Sequence, residues 1–315
     1  MSYLKISVMK YLLALLCIIG ILAMVLTKSK SPPYEPGHIE KTVKCKSDLM
    51  ERRQLPTADP RPVLYVVTPT YRRVEQVPEL TRLGQTLLTV PHLVWMVVED
   101  ADACSPHVAA LLDRLGIPYV HLASAMPAQY RSERYVPRGV SNRRAAMSWL
   151  RDQSPQPTGV MYFLDDDNTI DIRLLEQMRH TKKVSMFPVG LVADYLVSSP
   201  IVQEGRVTGW FDGWIVDRQF PVDMAGFAVN LSLVMASDAL MPYHAGYEED
   251  KLLRAFGITM DEIEPLANQC TEVLVWHTKT KKNQPPSLRR EVASHPNSNI
   301  AALAENMERI AMATT

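Results

Sequence analysis

The chain has 315 residues, enough for a large core held as one domain of roughly 250 residues or as two smaller ones. Its formal net charge is zero and its pI is near 7.1, so charge offers no case for nucleic acid as a partner. Four cysteines without CxxC-type spacing exclude a disulfide scaffold and a zinc module.

Tyr11 to Leu26 carries no charge, and at about 16 residues it lies at the short end of what crosses a bilayer. Val8 and Met9 extend it if Lys10 snorkels. No small-x-small cleavage site follows, so 1–10 reads as a short cytoplasmic tail and 11–27 as a transmembrane signal anchor. Lysines flank the run on both sides and leave the positive-inside rule little to discriminate. Residues 28–61 are rich in Lys, Ser, Pro and Glu, cannot bury enough apolar surface to fold alone, and read as a stem. In an oxidising compartment, Cys45 in that stem can join two chains and Cys104 can stay buried and free, and the sequence assigns neither.

A domain over 62–293 follows. Val63 to Val67 is a β-branched run ended by Thr68-Pro69-Thr70-Tyr71. Leu80, Leu83, Leu87 and Leu88 predict a helix, Leu93 to Val98 a second strand closed by Glu99-Asp100, Val108 to Leu115 a helix, and Tyr119 to Leu122 a third strand. Strand-helix alternation implies an α/β domain with a mostly parallel central sheet. Ala123 to Pro137 reads as a loop, and Ser141 or Asn142 caps a helix carrying Ala145, Ala146, Trp149 and Leu150. Val160 to Leu164 is a fourth strand, followed by a helix over 172–179 and the apolar run Val184 to Val192. From 196 to 293 the pattern changes to antiparallel strands or loops such as Arg206 to Phe211. Phe227 to Met235 reads as a buried strand or helix, Glu249 to Phe256 and Asp261 to Leu266 as helices, and Val273 to Trp276 as a late strand. The sequon Asn230-Leu231-Ser232 lies inside an apolar run, so it is expected to be buried and unmodified. Residues 294–315 form a tail with Leu303, Met307 and Ile310 at helical spacing.

The chemistry gathers at strand ends. Asp165-Asp166-Asp167 terminates an apolar strand, and three adjacent carboxylates repel one another unless something positive sits among them. A hard divalent cation held through oxygen is the natural candidate, at the strand edge where open α/β sheets bind ligands. Tyr71 and Asp100 end neighbouring strands, and Arg138, Arg143 and Arg144 flank Gly139, where a backbone can approach a phosphate closely. His277 and Lys279 follow the late strand and can brace a diphosphate. Among Glu248, Glu249 and Asp250, one can act as a general base, and spacing does not choose between them.

These blocks, in order and with similar spacing, resemble the animal β-1,3-glucuronyltransferase family: Val67 to Tyr71, Glu79 to Leu83, Val97 to Ala101, Pro137 to Val140, Asp165 to Thr169, Phe220 to Ala228 and Val273 to Thr278. The resemblance runs from about Pro62 to Thr280. It implies a GT-A fold and a single-pass type II Golgi membrane protein, catalytic domain lumenal, usually dimeric. It also implies manganese-dependent transfer of glucuronate from UDP-glucuronate to the 3-hydroxyl of a terminal galactose on a proteoglycan-linkage or glycoprotein glycan. By the same resemblance, Tyr71, Asp100, Arg138, Arg143, Asp165, Asp166, His277 and Lys279 would hold the UDP-sugar, and Asp167 would bind the metal. Glu249 would be the catalytic base, and Trp214, Arg218 and Asp223 would face the acceptor.

The chain departs from the family pattern at three points. Ser198-Ser199-Pro200 stands where a Glu-Gly-Pro is common, Ile170 where Tyr is frequent, and Lys279 where Arg is frequent. A different donor sugar on the same fold is an alternative, and so is a silent membrane-anchored glycan-binding protein. Intact Asp167, Glu249 and His277 argue against the silent form. The missing carboxylate at 198 predicts retained UDP-glucuronate use with a changed or broader acceptor range. Strict preference for the proteoglycan linkage trisaccharide in a transfer assay would contradict it.

Overall fold

The computed structural model describes residues 41–47, 60–193, 195–281 and 298–311. The segments read as cytoplasmic tail and anchor lie outside those residues; among the described residues no helix is long and apolar enough to cross a membrane.

The parallel centre of the sheet consists of β2 (Leu64–Thr70), β3 (Leu93–Glu99), β4 (Tyr119–Ala123) and β5 (Val160–Phe163). Every residue in these strands is buried, because helices cover both faces of the sheet. This is why their sequences read as continuous apolar runs rather than as alternating ones. Register places Val66 beside Trp95 and Trp95 beside Tyr119. Three strands complete one side, with β11 (Phe227–Asn230) antiparallel between β5 and β7 (Val184–Met186), and β12 (Ile263–Pro265) parallel to β7 at the edge.

On one face lie α1 (Gln76–Leu87), α2 (Pro106–Leu115) and α5 (Ile172–Met178); on the other lie α4 (Val140–Arg151), α6 (Leu231–Ala236) and α7 (Glu248–Ala255). Gly84 lets α1 press closely, since a Cβ there would meet Leu115 at 2.4 Å and Trp95 at 2.9 Å. A second sheet runs β10 (Arg206–Phe211), β9 (Val197–Gln203), β8 (Val189–Gly190), β13 (Val275–Trp276), β6 (Thr169–Ile170), and β9 and β10 form an antiparallel hairpin. The C-terminal tail carries the helix α8 (Asn299–Ala311).

Several expectations are corrected. Asp261 to Leu266 is not a helix: a 3-10 turn at Met260–Glu262 leads straight into β12. The run Val184 to Val192 splits into β7 and β8, one in each sheet. The loop 123–137 contains a short helix α3 (Ala128–Arg131). Phe227 to Met235 is strand and then helix, and Asn230 makes the switch by accepting the Ser232 N–H at 2.9 Å as N-cap. Asn230 is only partly buried, yet its Nδ2 donates to the Thr181 carbonyl at 2.8 Å, so the sequon nitrogen is already engaged.

The stem reading also changes, because Val43–Ser47 forms β1, which pairs antiparallel with β4 at the sheet edge. Cys45 on β1 bonds to Cys104, with Cα atoms 6.0 Å apart. Neither thiol is therefore free, and Cys45 is not available to join two chains. Cys270 remains a free thiol.

Arg179 is fully buried. Its guanidinium donates to the carbonyls of Pro62 and His92, both at 2.9 Å, of Pro91 at 2.5 Å, and to Glu176. It thereby closes the N-terminal mouths of β2 and β3. Replacing it by Met removes the Arg179 donors from the Pro62 and Pro91 carbonyls and leaves the His92 carbonyl with only the Leu64 N–H, at 3.0 Å. We expect Arg179→Met to cost roughly 3 kcal/mol and to lower the melting temperature by about 6–12 °C, read by thermal denaturation.

Candidate active site

The ends of β2, β3 and β5 open on a cavity of about 690 Å³. Tyr71 follows β2, Asp100 follows β3, and Asp165, Asp166 and Asp167 follow β5, all lining it. Across from them α4 begins at Gly139, whose φ of +75° leaves no room for a side chain: a Cβ would meet Arg143 at 2.4 Å. Arg138 and Arg143 therefore reach the cavity from the start of that helix, and His277 and Lys279 reach it from the end of β13. Every donor-side and metal residue expected from the sequence lines this one space. Arg144 does not; its guanidinium lies 5.2 Å from the Tyr243 ring, away from the cavity. A larger cavity, about 980 Å³, opens at the other end of the strands, around Val63, His92 and Gly159, and no carboxylate lines it.

The carboxylates differ in their partners. Asp166 is paired bidentately by Arg73 at 2.8 Å and accepts the Thr70 hydroxyl at 2.7 Å. Both its oxygens are thus engaged within the protein. Asp165 pairs with Arg143 and stays one-third exposed. Asp167 has no ion pair among the described residues, and burial together with the charges of Asp166 and Asp165 raises its carboxyl above the usual range. A partly buried oxygen donor carrying uncompensated negative charge fits a hard divalent cation. Asp100 accepts the Met126 N–H at 2.7 Å and Arg131 at 2.6 Å, both on Oδ1. Its neighbour Glu99 faces inward and is spent on Ser105 N–H and His121, each at 2.7 Å. The Tyr71 ring has the guanidinium carbons of Arg73 at 4.6 Å and Arg138 at 5.9 Å from its centroid, a cationic platform suited to a flat aromatic base.

The three acids opening α7 also separate. Asp250 is buried and accepts the N–H groups of Gln219 and Phe220, at 2.7 and 2.9 Å, together with Arg254. It is a brace, which leaves Glu248 and Glu249 for chemistry. Burial, then the charge of Glu248, then that of Asp223, pushes the Glu249 carboxyl up to about 8 despite its place in a helix first turn. Asp223 in turn joins His277 Nδ1 at 2.9 Å, so the acid expected at the acceptor and the imidazole expected at the donor share one contact. Trp214 and Arg218 lie in the loop after β10, outside the cavity; Arg218 pairs with Asp212 at 2.9 Å.

Sequence reasoning missed Arg73, Arg131, Asp212 and the Thr278 hydroxyl that holds the Asp167 carbonyl. Arg73 had a usable signal, since three adjacent acids need cations and it stands two residues beyond Tyr71. Asp212 had none, because the hairpin brings Ser198 to it and its other partners, the Trp214 N–H and Arg218, come from an irregular loop without a period.

The model of glycosyltransferase family 43 matches residues 83–281. A Drosophila melanogaster protein named galactosylgalactosylxylosylprotein 3-beta-glucuronosyltransferase S is 47% identical over 292 residues, covering 90% of this chain and 70% of its own. The chain belongs to the beta-1,3-glucuronyltransferase family. A second fly member of the family, 3-beta-glucuronosyltransferase P, is 52% identical over 227 residues, 71% of this chain and 47% of its own. A human member, 3-beta-glucuronosyltransferase 2, is 44% identical over 229 residues, 70% of each chain. In this beta-1,3-glucuronyltransferase the expected α/β fold is present, with a central sheet that is mostly parallel and β1 and β11 reversed.

The His277 imidazole is held above its ordinary value by its hydrogen bond to Asp223 and by the charges of Asp223 and Asp165, against opposing burial and Lys279. Asp223→Asn in this beta-1,3-glucuronyltransferase should therefore lower the His277 titration midpoint, read by NMR. The pair contributes stability fully below about pH 6.5 and loses it as pH rises through the folded value. The destabilisation caused by Asp223→Asn should shrink in the same direction.

Proposed function

We propose that this glycosyltransferase moves glucuronate from UDP-glucuronate to the 3-hydroxyl of a terminal β-galactose, with inversion at the anomeric carbon. What carries the reading is the lining of the 690 Å³ cavity, where an aromatic platform, four arginines, a histidine and a lysine surround Asp167, a carboxylate with no ion pair among the described residues. The names of the relatives support the sugar and the acceptor.

Tyr71 would stack the base, and Asp100, Asp165 and Asp166 would orient ribose and sugar hydroxyls. Arg138, Arg143, His277 and Lys279 would hold the diphosphate and meet the charge that grows on it as the glycosidic bond breaks. Asp167 would hold manganese, which when bound supplies further positive charge to the departing UDP. Glu249 would take the proton of the acceptor hydroxyl as that oxygen attacks from the face opposite UDP. Its raised carboxyl makes it a stronger base than an exposed glutamate, at the expense of being protonated below about pH 8. Trp214, Arg218 and Asp223 would present the galactose to it.

The same reading makes the protein a single-pass type II Golgi membrane enzyme, lumenal catalytic domain included, acting as a homodimer. The Cys45–Cys104 bond supports an oxidising compartment.

The test is manganese-dependent UDP release by the full-length enzyme with UDP-glucuronate and β-galactosides. Glu249→Gln should lose about 10²–10⁴-fold in turnover while UDP affinity is unchanged. For the wild type, kcat/KM should rise with pH up to about 8, and that limb should vanish in the variant. Near-normal turnover by Glu249→Gln would remove Glu249 from the role. Transfer only from another UDP-sugar would replace the donor.

A further inference from the structure

Asp212 sits where β10 ends, 5% exposed, and three separate groups converge on it. The Ser198 hydroxyl donates to Oδ2 at 2.5 Å; the Trp214 N–H, at 2.7 Å, and Arg218 Nη2, at 2.9 Å, donate to Oδ1. Arg218 also donates to the Trp214 carbonyl, which closes a small ring of contacts on one carboxylate. The Ser198 contact follows from the hairpin register, because Phe211 faces Ser199 and Trp210 faces Pro200.

The loop this network shapes borders the catalytic helix rather than the donor cavity. Asp250 ties Gln219 and Phe220 to α7, Arg254 holds the Asp217 carbonyl at 2.8 Å, and the Trp214 indole lies beside Gly246. Neither Trp214 nor Arg218 lines the donor cavity. Trp214 is nonetheless half exposed, and the buried Nε of Arg218 has no hydrogen-bond partner among the described residues. An exposed indole is the chemistry that stacks on a sugar face, and the buried Arg218 guanidinium holds the backbone that carries it.

Resting on the glucuronyl-transfer reading above, we propose that Asp212 is the positioning residue of the acceptor subsite, and that with Ser198 it forms a matched pair setting which β-galactosides are accepted. The carboxylate follows directly on β10 and is buried, where it fixes the Arg218 guanidinium and the backbone that carries the Trp214 indole. Ser198 is small and buried and donates a hydrogen bond to that carboxylate, a contact that a longer acid at 198 cannot make. A glutamate there would set two carboxylates side by side in a buried place. The acid at 212 and the short hydroxyl at 198 are therefore mutually dependent.

The experiment compares full-length wild type, Asp212→Asn, Ser198→Glu and the double variant Ser198→Glu/Asp212→Asn. Acceptor KM, kcat and UDP affinity are measured, and β-galactoside binding is followed without donor by Trp214 fluorescence against a Trp214→Phe blank. We expect Asp212→Asn to raise acceptor KM about 10-fold with UDP affinity held and kcat changed much less. Ser198→Glu alone should bind galactosides weakly, and the double variant should recover affinity with a narrower acceptor range. Unchanged acceptor KM in Asp212→Asn, or strictly additive losses in the double variant, would overturn the proposal. Galactoside binding that depends on Asp212 without transfer from UDP-glucuronate would overturn only the donor reading. No galactoside binding by the wild type would overturn both. Parallel loss of UDP affinity and thermal stability in every variant would reduce Asp212 to a structural role.

Discussion

Three carboxylates at the end of one buried strand repel one another, and the architecture around β5 answers that repulsion. Arg73 arrives from the end of β2 and neutralises Asp166 with two parallel bonds, while Arg143 arrives from the first turn of α4 and takes Asp165. Asp167 is fixed instead through its backbone carbonyl, by Arg82 and Thr278, which leaves its carboxylate unneutralised. Among the described residues Asp167 is thus the one of the three without a direct ion pair, in the place where a cation and a diphosphate would be bound. Gly139 belongs to the same arrangement, since only a residue without Cβ lets Arg143 fold back over the helix start.

Other acids in this protein serve the scaffold. Glu99 and Asp250 are buried and saturated, one by Ser105, His121 and Gln76, the other by two backbone N–H groups and Arg254. Both stand directly beside residues assigned to chemistry, Asp100 and Glu249. One side chain of each pair is anchored in the core and thereby aims the other. Glu249 is pushed toward the proton by its burial and then by the charge of Glu248 beside it.

The cavity lining and the start of α7 meet at Asp223. It caps the turn leading into β11 with Oδ1 and holds His277 with Oδ2, and its charge reaches Glu249. A change in the charge held by the donor pocket would therefore be felt at the base through one short contact. Beyond it, the acceptor loop rests on Asp250 below and Asp212 behind, so its aromatic and cationic side chains are carried by two buried carboxylates rather than by a rigid element.

Much of this was legible in the chain itself. Apolar runs ending in Thr-Pro-Thr-Tyr, Glu-Asp and Asp-Asp-Asp define buried strands with polar ends, because a strand covered on both faces has no polar alternation and its first exposed residues fall at the sheet edge. The donor side follows from that rule, since one parallel sheet puts those ends together. Tertiary structure alone decided the rest. Asp261 to Leu266 has a helical composition, yet pairing with β7 drew it into a strand, and Phe227 to Met235 satisfied both periods in succession. Cys45 and Cys104 lie 59 residues apart, and only the antiparallel seat of β1 brings them together. Which of Glu248, Glu249 and Asp250 is spent on the loop, and that Ser198 meets Asp212, depends on long-range hydrogen bonds and hairpin register. Such contacts join residues far apart in sequence and have no period, so no local pattern encodes them.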